Sequence, residues 1–370
     1  MMPDIRVVEV SGSPREMGRQ HGERFRRDIK ILAKERVVLS SNKNWTGYEL
    51  PRPDVLALGE ACLPWHQEYA PELMEELRGI GDATGVGLTE LVILNGFTDF
   101  IDVVFNHRAA AVPARPAHPA ADNCTAFIVS PQATAEGRGF FGQTWDMHAT
   151  ATPFVILLHG KPAGGLRFLT LTLIGCVGMI GMNEAGIAVG INNLMARDGR
   201  PGVTWPFVVR KILMQDNLDD ALACITKARL AGAHNYLLAD ATGRGFNIEA
   251  MSSRLHVQEV TSGSLVHTNH CLFTGNLPVE RERLPESRRN SELRLNRAEQ
   301  LLKPGQITLN DLLALTRDHG KNGGVCAHAV APFFVESCSA AVMRPATREM
   351  WAVWGLPCQN EYRHFTVKRR

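Results

Sequence analysis

Residues 122–149 read DNCTAFIVSPQATAEGRGFFGQTWDMHA. CTAFIVS and GFFGQTW are short runs rich in β-branched and aromatic residues, and Pro131 and Gly137 lie between them. This predicts two strands paired as an antiparallel hairpin. Directly upstream, residues 109–121 hold seven alanines and three prolines in thirteen positions, without hydrophobic periodicity. They are expected to form an exposed linker. One cysteine, Cys124, therefore stands at the boundary between linker and strand.

The pattern on the two sides of this boundary differs. Upstream, the chain reads as helical. Ser13-Pro14-Arg15-Glu16 is a capping box with proline at the first helical position. A second helix is expected from Pro71, ending between Gly79 and Gly85, and a third, mostly buried, over LTELVILNGFTDFIDVVF from Leu88. Downstream, PFVILLHG, LRFLTLTLI, CVGMIGM and GIAVGIN continue as closely spaced strands. Helices follow at TWPFVVRKILMQ and LDDALACITKARL, then strands at NYLLAD, GFNIEAM, RLHVQEV and GSLVHTN. A helical block over about 286–302, a shorter one over 310–317, and strands at SCSAAVMRP and REMWAVWG complete the chain. Sheets layered with helices are the expected α+β architecture, with antiparallel pairing dominant.

Composition removes several classes of function. Of 370 residues, 45% are hydrophobic and 21% charged, the profile of a chain with a real core. The net charge of +2 gives no nucleic-acid footprint. The basic run RERLPESRRNSELRLNR, 281–297, also carries acidic residues and reads as a solvated helix face. The longest uncharged apolar run, FLTLTLIGCVGMIGM, is shorter than a membrane span. MMPDIRVVEVSGSPREMG has no apolar core of signal-peptide length. The eight cysteines form no CxxC pair, so reduced thiols and a cytoplasmic location are expected. No GxGxxG or P-loop opens a helix, and the two histidines of HTNH have no carboxylate-rich companion, so no cofactor and no metal are expected.

Cys124 carries the candidate chemistry. If the chain were cut between Asn123 and Cys124, one residue would hold both a thiol and a free α-amine. That amine titrates near ~8 and can take the thiol proton, so the nucleophile brings its own base. Such a site also needs a group to orient the amine and donors for the oxyanion. Asp146, Asn192 and Asn269 all stand at or just beyond strand ends downstream and supply these residue types.

The segments DNCT, GQTWDM, IGMNEAGIAVGINN, GRPGVTWP and VHTNHC occur here in this order. Together they resemble the acyl-coenzyme A:6-aminopenicillanic-acid acyltransferase family of self-cleaving N-terminal nucleophile enzymes, from Cys124 to about Pro357. A fainter likeness runs through SPREMGRQHG and PELMEELRGIGDATG. The resemblance implies the Ntn-hydrolase fold, a four-layer αββα sandwich of two antiparallel sheets. It implies a mainly helical region 1–108, a linker 109–123 ending at the cleaved bond, and a catalytic region 124–370, the two cleaved chains staying associated. Cys124 would be the nucleophile, Asp146 would hold the freed amine, and Asn269 would help form the oxyanion hole. Thr125, Gln143, Trp145 and Asn192 would line the site. The substrate would be a small-molecule amide or acyl donor, with acyl-coenzyme A as a possible co-substrate.

Two positions depart from the family pattern. Asn123 stands where glycine precedes the cysteine, and Leu356 in Gly355-Leu356-Pro357 stands where the family has arginine. Two further readings stay open: an uncut thiol enzyme pairing Cys124 with His267 or His270, and a non-catalytic member of the fold.

Overall fold

The computed structural model describes residues 4–109, 123–302, 305–320, 323–331 and 333–369. Most of the expected linker, 110–122, lies outside them. The chain opens with a strand, β1 (Arg6–Gly12). Seven helices follow: α1 (Pro14–Arg24), α2 (Arg26–Ser40), α3 (Lys43–Thr46), α4 (Arg52–Tyr69), α5 (Pro71–Thr84), α6 (Leu88–Leu94) and α7 (Phe97–Ala109). The Ser13 capping box is formed as expected, with Ser13 Oγ accepting from the Glu16 N–H and the Glu16 carboxylate reaching back.

The third helix expected from Leu88 is instead two. Asn95 and Gly96 separate α6 from α7. The Asn95 side chain donates to the Leu91 and Gly175 carbonyls and accepts from the Val177 N–H. At Gly96 a Cβ would meet Thr204 Cγ2 at 2.2 Å. Tertiary hydrogen bonds and close approach thus override a continuous apolar pattern.

Beyond Cys124 come β2 (Thr125–Val129), β3 (Phe140–His148), β4 (Val155–Pro162), β5 (Phe168–Leu173), β6 (Ile180–Asn183) and β7 (Ala188–Asn193). Then follow α8 (Trp205–Ile212), α9 (Leu218–Thr226), β8 (His234–Ala239), β9 (Gly245–Ala250), β10 (Leu255–Val260) and β11 (Ser264–His267). The last elements are α10 (Pro285–Leu301), α11 (Leu309–Thr316), β12 (Val335–Arg344), β13 (Glu349–Trp354) and β14 (Arg363–Thr366).

The strands form two sheets, β1-β4-β5-β6-β7-β8-β9-β10 and β11-β2-β3-β12-β13-β14. The sheets face each other: Phe141 of β3 reaches Gly190 of β7, and Ile128 of β2 reaches Gly245 of β9. On the outer face of the smaller sheet, Phe127, Val129, Phe140 and Val342 pack on Ala298 of α10 and on Leu312 and Leu315 of α11. On the other side, α8 and α9 cover the larger sheet. Helices α4 and α5 join them there, where Tyr69 Oη donates to the Cys224 carbonyl and Arg210 Nη2 donates to Glu76 Oε2 at 2.9 Å. This is the expected four-layer αββα sandwich. With both faces covered, β2 and β3 are buried at every position; β2 is accordingly almost wholly apolar, and the polar residues that β3 carries, Gln143, Thr144, Asp146 and His148, are buried with it.

One pairing departs from the antiparallel expectation. β1 runs parallel to β4, with Val8 opposite Leu158. The upstream region is therefore not all helix. It contributes an edge strand to the larger sheet, and α1 packs on that strand and on α5. The α1–α5 crossing is tight enough for backbones to touch: a Cβ at Gly18 would lie 1.9 Å from Glu76 O, and one at Gly79 would lie 2.1 Å from Arg15 O.

Gly79→Ala is expected to force these helices apart and lower stability by at least ~1–3 kcal/mol. Gly275→Ala, where nothing lies within 4 Å of the added methyl, is expected to stay within about 0.5 kcal/mol of the parent. Urea denaturation of both variants measures the difference. Equal midpoints would contradict the close crossing.

Candidate active site

Cys124 lies one residue ahead of β2 and is wholly buried, while Asn123 is partly exposed. The hairpin β2–β3 places Asp146 against it. The Asp146 N–H donates to Cys124 Sγ at 3.5 Å, and Sγ lies 3.8 Å from the Asp146 carbonyl.

The Asp146 carboxylate is held from the next strand. Ser337 Oγ donates to Asp146 Oδ1 at 2.7 Å. Ser337 stands where the β12–β3 register shifts between Ser337 and Ser339. The irregularity re-aims the side chains of β12 at this point, as bulges near sites do.

Two donors fix the backbone of Cys124. The Cys124 carbonyl accepts from Arg294 Nη1 at 2.7 Å and from Asn192 Nδ2, at the end of β7, at 3.1 Å. Arg294 also donates to Thr125 Oγ1 at 3.0 Å, to Asn269 Oδ1 at 3.0 Å and, through Nε, to Asn290 Oδ1 at 2.8 Å. Asn269 Nδ2 donates to the Asn193 carbonyl at 3.1 Å, and its N–H to Ser291 Oγ at 2.9 Å. Cys124, Thr125 and Asn269, singled out in the sequence, thus meet around one guanidinium, and Asn192 shares the Cys124 carbonyl with it.

Gln143 and Trp145 sit differently. Gln143 bridges the sheets, donating from Nε2 to the Ile191 carbonyl and accepting the Ile191 N–H at 2.9 Å. Trp145 lines an interior hollow with Phe97, Met147, Met179 and Trp205.

Arg294 went unread in the sequence, because 281–297 looked like a solvated face. The structure corrects this: Arg281, Arg283 and Arg294 are all buried. Arg281 lies over the Phe105 ring, and Arg283 donates to the Asn193 carbonyl. The signal was present in the spacing. Ser291, Arg294 and Ala298 recur at helical intervals and form the buried stripe of α10.

The histidines of HTNH are committed elsewhere. His267 Nδ1 lies 2.7 Å from the Thr268 carbonyl, and Nε2 lies 3.0 Å from Glu249 Oε1. His270 Nδ1 lies 2.7 Å from Ser291 Oγ. Burial, helped by Arg288 and other nearby cations, lowers His270 to about 3. A group so weakly basic is poorly matched to deprotonating a thiol at neutral pH.

Near Leu356 a different arginine is found. Arg317 Nε donates to the Pro357 carbonyl at 2.9 Å and secures this turn. A cavity of about 480 Å³ opens beside Asn123, and its lining also includes Glu286, Asn290, Arg294, His319 and Val335.

The family described as acyl-coenzyme A:6-aminopenicillanic acid acyl-transferase matches residues 133–359, a span that includes Asp146 and Asn269 and begins just after Cys124. A protein of Emericella nidulans, "Acyl-coenzyme A:6-aminopenicillanic-acid-acyltransferase 40 kDa form", is 27% identical over 285 residues, 76% of this chain and 73% of that one. An uncharacterized protein of Archaeoglobus fulgidus is 28% identical over 254 residues. That match takes in 64% of this chain but only 42% of the archaeal protein, so the chain spans less than half of that relative's length.

Among solved structures, a variant of conjugated bile acid hydrolase from Clostridium perfringens aligns with a TM-score of 0.43 at 12% identity, covering 67% of this chain and 99% of that one. Penicillin V acylase from Agrobacterium tumefaciens gives 0.41 at 12% identity, covering 62% and 82%. Likeness at this level says nothing about the chemistry of this chain. The family match spans well over half of the sequence, and the chain belongs to the acyl-coenzyme A:6-aminopenicillanic acid acyl-transferase family.

Proposed function

We propose that this chain is the precursor of an N-terminal cysteine enzyme that cuts itself between Asn123 and Cys124 and then acts on amides or acyl thioesters, by acyl transfer or hydrolysis. The observation that carries this reading is the grip on Cys124. Arg294 and Asn192 hold its carbonyl from two sides, and the Asp146 N–H meets its sulfur. A structural cysteine needs neither.

In the cut, Cys124 Sγ attacks the Asn123 carbonyl carbon and the peptide nitrogen leaves as the α-amine of Cys124. Water then hydrolyses the thioester and leaves a carboxylate on Asn123. The partial exposure of Asn123 on the wall of the cavity gives water a route. The two chains stay together, because β1 is hydrogen-bonded along β4 and α5 is ion-paired to α8.

In turnover, the α-amine takes the thiol proton and Sγ attacks the substrate carbonyl. Asp146, steadied by Ser337, orients the amine. Asn269 supplies a donor to the oxyanion. Its Nδ2 donates to the Asn193 carbonyl, which holds the amide in place. Arg294 acts as a positioning residue: by donating to Asn269 Oδ1 it fixes which way that amide faces. The ammonium protonates the leaving amine or thiol, and the acyl group passes to an acceptor amine or to water. An acyl thioester such as acyl-coenzyme A is a fitting donor. The uncut Cys/His alternative is disfavoured by His267, whose two ring nitrogens are already engaged, and by the low basicity of His270.

Brief exposure to an activated acyl thioester should place the acyl group on Cys124 and on no other cysteine, read by peptide mass spectrometry. The single-turnover rate should rise with pH through a limb near ~8, the α-amine range. Asp146→Asn should slow it by roughly 100-fold or more while remaining folded. A label elsewhere, a pH-independent rate, or near-normal acylation in Asp146→Asn would contradict these roles.

Arg294→Lys keeps the charge but cannot span four acceptors. It should lower kcat more than it raises KM and cost on the order of 1–3 kcal/mol in urea denaturation. Unchanged kcat would remove Arg294 from the site.

A further inference from the structure

Four side chains from three separate segments converge at the rim of the cavity beside Asn123. His319 follows α11, Cys326 and His328 lie on the stretch leading into β12, and Cys358 lies in the turn after β13. One imidazole nitrogen or sulfur from each falls within 4.8 Å of the other three. His319 Nε2 is 3.0 Å from His328 Nε2, and Cys358 Sγ is 3.3 Å from the same nitrogen. Among the described residues no other such group of His, Cys and carboxylate atoms closes this far.

The surrounding backbone is built to bring them together. Gly324 sits against His319 so closely that a Cβ would lie 2.1 Å from His319 Cα. The Cys326 N–H donates to the Asp318 carbonyl at 2.9 Å. Arg297 in turn holds the Asp318 carboxylate with bonds of 2.9 and 2.6 Å. Ala327 is anchored on β12, donating to Ser337 Oγ at 2.9 Å and accepting the Ser337 N–H at 2.9 Å. The Cys358 turn is tied down where the Gly355 N–H donates to the Cys338 carbonyl at 2.8 Å.

Zinc bonds of ~2.0–2.1 Å to nitrogen and ~2.3 Å to sulfur put neighbouring donors of a tetrahedron roughly 3.3–3.8 Å apart. The distances here bracket that range, so small side-chain adjustments complete the shell. Two thiols and two imidazoles with no carboxylate select a borderline-soft ion over Mg²⁺ or Ca²⁺. Four protein ligands leave no open position, which is the pattern of a structural site.

We propose that His319, Cys326, His328 and Cys358 bind one Zn²⁺ that pins the 326–328 stretch to the turn after β13. Binding releases two protons, one from each thiol, and the resulting Cys₂His₂ complex is neutral. No CxxC pair announces these ligands, because the fold gathers them from positions as far apart as 319 and 358. The site stands independently of what Cys124 does. It would nevertheless steady the machinery, since the Ala327 N–H reaches Ser337 Oγ, which donates to Asp146 Oδ1. A Cys326–Cys358 disulfide is the competing use of the two sulfurs. It would need an oxidant and would leave both histidines without a task.

The test uses the full chain purified under reducing conditions from zinc-supplemented medium and dialysed against a weak chelator. About one zinc per chain is expected by elemental analysis, equally in wild type and in Cys124→Ala. His319→Asn/His328→Asn and Cys326→Ser/Cys358→Ser should each lose it. In the wild type, exchange for Co²⁺ should produce the strong visible bands of tetrahedral cobalt and a near-ultraviolet thiolate band. This readout does not depend on whether the variants fold. A wild-type chain that retains no zinc and shows no thiolate–Co²⁺ band would overturn the proposal. So would an intact mass two hydrogens short, with Cys326 joined to Cys358.

Discussion

The guanidinium of Arg294 is the point on which the rest of the site depends. It is 1% exposed, and burying a cation there is costly unless its hydrogens are used. They are used on the Cys124 carbonyl, Thr125 Oγ1, Asn269 Oδ1 and Asn290 Oδ1. Those four acceptors come from the start of β2, the segment after β11, and α10 itself. One side chain from the outer helical layer thus reaches the start of β2 and sets the positions of Cys124 and a neighbouring amide together. Moving α10 by a fraction of an ångström would move both.

The sandwich makes that constraint possible. Covering the smaller sheet with α10 and α11 buries its outer face, and the larger sheet buries its inner one. Cys124 therefore sits where water is excluded while Asn123, one residue earlier, still touches the cavity. The upstream region contributes through β1 and the glycine-lined crossing of α1 with α5, so it is woven into the body that carries the site. Such interlocking is what a chain needs if a cut in its middle is to leave one particle.

Much of this was legible in the sequence, for identifiable reasons. Alternate runs of β-branched residues and glycines marked the strands, and a local capping box marked α1 correctly. Cys124, Asn192 and Asn269 were singled out because each stands at or near a strand end, Thr125 came only with the family resemblance, and the fold brings the four close together. What escaped were effects of distance. Asn95 breaks a helix by bonding to residues some eighty positions away. The partner of β1 is about 150 residues downstream. Arg294 looked like one more charge in a solvated run, although its spacing from Ser291 and Ala298 carried the buried stripe. The His/Cys cluster draws on three segments, and no local spacing encodes it.

The intact mass of the freshly purified wild-type chain, set beside that of Cys124→Ala, bears most directly on the claim that Cys124 becomes a chain terminus. Two masses are expected for the wild type, summing to the full chain plus one water and meeting at the Asn123–Cys124 bond, with a single full-length mass for Cys124→Ala. A wild-type chain that stays whole while turning over amides or thioesters would contradict it.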